Sequence, residues 1–392
     1  MYLATIVLVF SLSLQSMPGL GVRIPNQDPT AIARGNAFAA TADNPSAIYY
    51  NPAGITQMSG HNVQAGALFY LGIDAQYRSP TGQHVENDSE VVTVPHLHYV
   101  YNPTNLPVSF GLGVYAPFGL EMDWPRDAPF ATGGRRGELL YLTINPVVAW
   151  QVHPTLSVAG GPTINYSDVD LRQQATPLIP GSEFKFNGDD TTYGFTAGAR
   201  WQPHQQWAFG VSYRSAQKTE YEGKAQFDPS AILGPSFSTT AHLDFPQTII
   251  GGVSYRPTTN WNVEVNIDWA DWSTTDNLVV DGVASLPLNW HSSFFYEAGV
   301  TRYLSDSYYV SLGYFFSENS TSEHNYTPTV PDTELHVGSL GVGRRGEYWS
   351  WAVAGQIIAG PWYEVRDNVN PTVNGDYKLF IPTLSVAVGR RF

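Results

Sequence analysis

The stretch WNVEVNIDW, residues 261–269, alternates without a fault. Trp261, Val263, Val265, Ile267 and Trp269 fall on one face of an extended chain, and Asn262, Glu264, Asn266 and Asp268 on the other. Carboxylates and amides behind a wholly apolar face exclude a core strand buried on both sides. The pattern fits a strand with hydrocarbon on one side and polar contents on the other. Aromatic residues at both ends of the apolar face match the girdles at the two membrane interfaces. YYVSLGYFF, 308–316, sets Val310, Leu312, Tyr314 and Phe316 against Tyr309, Ser311, Gly313 and Phe315. The chain closes on LSVAVGRRF, with Leu384, Val386, Val388 and Phe392 in phase.

Such segments recur from residue 62 onward and number about fourteen, the even count that a bacterial barrel of one chain requires. They are expected near 62–78, 90–102, 107–117, 137–152, 155–171, 190–202, 206–224, 239–257, 261–279, 290–304, 308–318, 333–345, 349–364 and 377–392. Short joints such as HPT and PTTN alternate with long ones at 118–136, 173–189, 225–238, 319–332 and 365–376. The short joints read as periplasmic turns and the long ones as external loops. Charged residues make up only 14% and aromatics reach 14%, against about 25% charged in an average soluble domain. The fold class expected is an all-β membrane protein, an antiparallel transmembrane β-barrel of about fourteen strands, against the alternative of a large soluble β-sandwich or secreted β-solenoid. Its expected place is the outer membrane of a Gram-negative bacterium, as a monomer among outer-membrane lipids and lipopolysaccharide. The absence of cysteine excludes disulfides and thiolate-bound metals. A net charge of −14 argues against a nucleic-acid partner.

Residues 1–21 read as a signal peptide. Ala4 to Leu14 form its apolar region and Gly19-Leu20-Gly21 a cleavage site, although the start carries no Lys or Arg. Residues 22–61 break the alternation. They are rich in Ala and hold three helix starts, Asp28-Pro29, Asn44-Pro45 and Asn51-Pro52, each a capping side chain before proline. The economical place for them is the lumen, as a plug ahead of the barrel at 62–392.

Four stretches carry a family likeness: DNPSAIYYNPAGITQMSG; FGLGVYAPFGL; TTYGFTAGARWQPHQQWAFGVSYRSAQKTEYEGKAQF; and FPQTIIGGVSYRP together with DWADWS. In this order and spacing the chain resembles the FadL/TodX outer-membrane transporters of long-chain fatty acids and other hydrophobic compounds. The resemblance implies a lumenal hatch, with Asn51, Pro52, Ala53 and Gly54 as its gate. It implies uptake without ATP or cofactor, capture from outside, and sideways release through a break in strand three. The residues for that opening are Pro117, Phe118 and Gly119, with Gly198 where the family keeps a glycine in strand six. Pro117 lacks a ladder donor and Gly119 weakens a strand. The alternative is that Pro117 merely ends its strand at the rim.

For the ligand, Arg172 falls where the family places a basic residue near its pocket, and a guanidinium holds a carboxylate in two bonds. The alternative is a rim arginine paired with Asp168 or Asp170. The family's second basic position is replaced by ASLPLNW, which leaves room for neutral or aromatic hydrocarbons. Phe38, Ile48, Tyr49 and Tyr50 either face the pocket or form the hatch's own packing. Arg135 and Arg136 either meet lipopolysaccharide phosphates or sit in a solvated loop. No metal site and no catalytic site is expected. His96 and His98 share one face of strand two without a Ser or Asp arrangement beside them. A general porin would not block its own lumen.

Overall fold

Hydrocarbon offers the backbone no hydrogen bonds, so an alternating chain can cross a membrane only as a closed ring of strands. The computed structural model describes residues 22–88, 90–103, 105–305 and 307–392; the expected signal peptide lies outside them. Its ring has fourteen antiparallel strands, several of them in two pieces. They are β1 (Gly60–Tyr70 and Asp74–Arg78), β2 (His84–Glu86 and Val92–Asn102), β3 (Val108–Tyr115 and Gly119–Asp123), β4 (Arg136–His153), β5 (Leu156–Gln173) and β6 (Glu183–His204). β7 (Trp207–Arg214 and Glu220–Asp228), β8 (Phe237–His242 and Thr248–Thr258), β9 (Trp261–Ala270 and Asn277–Val280) and β10 (Ala284–Pro287 and Ser293–Tyr303) follow. The ring ends with β11 (Tyr308–Ser317), β12 (Leu335–Arg345), β13 (Trp349–Ala359 and Tyr363–Val365) and β14 (Gly375–Arg391), and β14 pairs back on β1 from Asn62↔Arg391 to Arg78↔Asp376.

The alternation sets the faces. On β9, Val265 and Ile267 are half-exposed on the outside, while Glu264, Asn266 and Asp268 are buried inside. β6 begins seven residues before the expected position, so the external loop is shorter than 173–189. Phe184 and Phe186 point inward and alternate with Lys185 and Asn187. Above the lipid band the outward residues turn polar, which hides the period. β7, β8 and β9 break at one level, where Gln217 and Phe245 form an isolated bridge.

Residues 22–57 fill the lumen. The caps at Asp28 and Asn51 form, while at the third expected start the N-cap is Ser46, which makes no side-chain cap bond. Asp28 accepts from the amides of Thr30 and Ala31 ahead of α1 (Pro29–Ile32). Asn44 accepts from the Ser46 amide just before α2 (Ala47–Tyr50). Asn51 accepts from the Ala53 amide ahead of a 3-10 turn, Pro52–Gln57. Inward glycines make the room. A side-chain carbon on Gly210, Gly299 or Gly313 would strike the inner segment's own backbone at Ala39, Arg34 or Gly35.

Candidate functional site

β3 carries one residue too many. Tyr115 pairs with Thr143 of β4, but the next rung is Gly119 with Leu140. The excess residue is a bulge, and bulges bend a strand away from its partner. Pairing with β2 therefore stops at Leu97↔Val114 and resumes only at the Asp88–Asp123 bridge. Residues 92–96 of β2 have no rung to β3. Pro95 lies in that stretch and has no N–H to offer. The result is a gap in the ladder between β2 and β3, a window of missing rungs. The outward residues near it, Val91, Phe110 and Leu112, are apolar and exposed.

The inner segment covers the window from within. The Ile24 amide donates to the Pro117 carbonyl at 2.8 Å, and the Gly119 amide donates to the Val22 carbonyl at 2.7 Å. Residues 22–24 thus serve as a short substitute strand on the kink. Gln27 Nε2 adds a bond to the Ala116 carbonyl at 2.7 Å. Arg23 anchors this stretch across the lumen, with its guanidinium on both oxygens of buried Asp268 at 2.9 and 2.6 Å.

Phe118 turns inward and stacks against Tyr141, Phe245 and Trp272, at 5.2, 4.9 and 6.1 Å between ring centres. The breaks in β3, β8 and β9 thus deliver their aromatic rings to one cluster. One step further out lies a cavity of about 170 Å³. Leu120, Leu139, Val169, Phe184, Tyr221 and Trp290 line it, with Val22 as its inner wall. External segments at 132–134, 325–330 and 368–373 close its top. Val22 therefore faces the cavity with its side chain and holds the kink with its carbonyl.

Arg172 reaches the cavity's outer lip, but its guanidinium is occupied. Nε and Nη2 both donate to Asp170 at 2.8 Å. Alternation places Arg172 in phase with lipid-facing Ile164 and Tyr166, on the outward side of β5. Arg136 is held by Asp123 and Glu138, and Arg135 by Asp123 and Glu183, all within 2.9 Å. Phe38, Ile48, Tyr49 and Tyr50 do not line the cavity. They are the packing core of the inner segment against Val100, Tyr115 and Val147. Tyr49 and Ile48 approach the window, Tyr49 with its ring 5.2 Å from that of Tyr115 and Ile48 against Gly111 and Gly113 of β3.

Asn51 is pinned to the wall, with Nδ2 donating to the Ala39 carbonyl at 2.8 Å and to the Ala199 carbonyl of β6 at 3.0 Å. Gly198 does not border the window, since β6 is paired there on both sides, with Ala159 and Ser212. Its missing side chain makes room for Asn51 and Pro52. Ala53 and Gly54 are buried in the same turn, and Gly54 lies against the Ala42 carbonyl. Sequence reasoning missed Val22, Arg23, Pro95 and the Phe245–Trp272 pair. Pro95, inside an alternating strand, was the one readable sign among them.

A family profile described as "Outer membrane protein transport protein (OMPP1/FadL/TodX)" matches residues 14–354. The long-chain fatty acid transport protein of Salmonella typhi is 21% identical over 341 residues, covering 77% of this chain and 78% of that one. A Pseudomonas aeruginosa FadL homologue superposes with a TM-score of 0.84 at 16% identity, covering 95% of this chain and all of that one. The Ralstonia pickettii toluene transporter TbuX superposes at 0.69 and 16% identity, covering 93% and 98%.

Proposed function

Because the chain belongs to the OMPP1/FadL/TodX family of outer-membrane transport proteins for hydrophobic substrates, we propose a route for its passenger. It enters the outer cavity, passes Val22, and leaves sideways through the β2–β3 window into the bilayer. The observation that carries this reading is that one short strip of chain serves both places: Val22 lines the cavity, and Val22 and Ile24 bond the kink beside the window. Transfer of an apolar molecule from a confined site to lipid needs no other energy source than its own partitioning.

The cavity favours neutral passengers about the size of one ring. A protein cavity of about 150 Å³ with an aliphatic and aromatic lining stays dry and binds benzene, and this one is about 170 Å³. Its cations at the lip, Arg136 and Arg172, already face carboxylates. The fatty-acid reading rests on the names of the curated relatives, and it would require Arg172 to leave Asp170 for the passenger's carboxylate.

The test is uptake. Cells producing the protein should accumulate labelled toluene faster than cells without it, and proteoliposomes should not swell in sucrose. Rapid sucrose entry would make the protein a general pore. Strong palmitate uptake with none of toluene would return the cavity to fatty acids.

A further inference from the structure

The inner edge of the window is polar, which a passage for plain hydrocarbon does not require. His96 and His98 project into the lumen from β2, at and just beyond the last rung before the window. Their rings lie 5.5 Å apart, and His98 stacks on Tyr115 at 6.0 Å. Both are buried, at 3% and 0% exposure. Among the described residues, His96 Nε2 and both ring nitrogens of His98 have no hydrogen-bond partner. The Oε1 atoms of two further buried side chains are also unmatched. One belongs to Gln64, opposite His98 on β1, and the other to Gln27, whose Nε2 holds Ala116 at the kink. Buried polar atoms without partners each carry a desolvation cost of about 1–3 kcal/mol, and native proteins rarely tolerate several in one place. Here five such atoms lie on one stretch of the inner wall: three on His96 and His98 beside the β2–β3 gap, one on Gln64 across the β1–β2 ladder from His98, and one on Gln27 at the kink.

We propose that these four side chains form a polar station at the inner edge of the window, which hydrogen-bonds one small neutral group on the passenger as it leaves. The inference rests on the lateral route. A neutral imidazole presents one donor and one acceptor, and the free amide oxygens of Gln27 and Gln64 accept. The set suits a hydroxyl, which gives one bond and takes another. No cation belongs to the set, so an ionised carboxylate gains little from it. The passenger class is accordingly a ring-sized apolar body with a single hydroxyl. The body suits the cavity and the hydroxyl suits the station.

p-Cresol and p-xylene nearly share a shape and differ in that group, so their relative flux reads the station. In proteoliposomes, the His96→Leu/His98→Leu double variant should lower the ratio of p-cresol to p-xylene flux roughly tenfold, the loss of about one net hydrogen bond. Xylene flux should stay near its starting value. His98→Asn, which keeps a donor and an acceptor, should restore part of the ratio to a His98→Leu variant. Heat-shifted gel mobility confirms that each barrel is folded. An unmoved ratio would mean that the nitrogens hold only water, and would overturn the proposal. An equal fall in both fluxes would mean that the rings merely shape the window, and would overturn it as well. The lateral route fails separately: a variant lacking Pro117, with the bulge removed, would then pass both compounds unchanged.

Discussion

At the scale of single residues, the inner segment is held by charge as much as by packing. Glu264 is fully buried and accepts from the Ala40 and Thr41 amides at 2.7 and 3.0 Å, from the Thr41 hydroxyl, and from Arg34 at 3.3 Å. Asp43 takes both Nη atoms of Arg345, at 2.7 and 2.9 Å. Replacing a buried ion pair by apolar residues is often neutral, but removing one partner strands the other and costs about 3–5 kcal/mol. Glu264→Ala leaves the buried Arg34 without its carboxylate, with the Thr41 hydroxyl as remaining acceptor, and two amides without theirs, while no rung of the ladder is lost. Opening of residues 34–41 should become easier by about 3 kcal/mol. Hydrogen exchange there should quicken roughly a hundredfold, with β9 and β10 unaffected. Equal loss of protection in segment and strands would show that Glu264 supports the barrel itself.

At the scale of the element, the decisive feature is one surplus residue in β3. Deleting Pro117 brings Tyr115 and Gly119 into the same register with β4 and removes the reason for the bend. β3 should then run unbroken, pair with β2 past His96, and close the window. Toluene uptake should fall to the level of cells lacking the protein, while heat-shifted mobility stays. Full uptake in this variant would locate the exit elsewhere. The strands themselves were legible because lipid imposes a strict alternation on whatever it touches, as Val263, Val265 and Ile267 show. The interruption of β3 was hinted at by Pro117 and Gly119, one residue apart, though the sequence could equally place the strand's end there. What covers it was not legible. Val22 and Ile24 pair with the kink through their backbones, and a backbone bond leaves no mark on residue type. The direction of Arg172 was written in the sequence, in phase with Ile164 and Tyr166, and Asp170 two residues back was one of the two pairing partners it offered. The inward glycines could not be read either. Their meaning depends on register, as where Gly210 faces Gly252 and Gly299 faces Gly313 across strands.

At the scale of the whole molecule, two closures stand in series along the barrel axis. The inner segment blocks the periplasmic half through Glu264, Asp268 and Arg345. Toward the external loops, Trp124, Phe130, Tyr77, Tyr326 and Tyr377 share one buried cluster, which we propose as a second closure. The inner segment adds the isolated Arg23–Phe118 bridge but no strand to the ring, and β14 closes on β1 without it, whereas Tyr77 and Tyr377 of the aromatic cluster are themselves a rung of that closure. Removing residues 22–57 should therefore leave a barrel that still folds and resists detergent, because the exposed lumenal charges gain water where they lose partners. Such a barrel should stay nearly non-conducting in a planar bilayer, since the aromatic cap remains. Removing residues 319–333 as well strips Tyr326 from that cluster and opens a continuous aqueous path, so conductance should appear only in the double deletion. An open pore after the first deletion alone would mean that the cap does not seal. The passenger would then be kept from water by the inner segment alone. On the proposed route the passenger then leaves through the wall, at the break in β3.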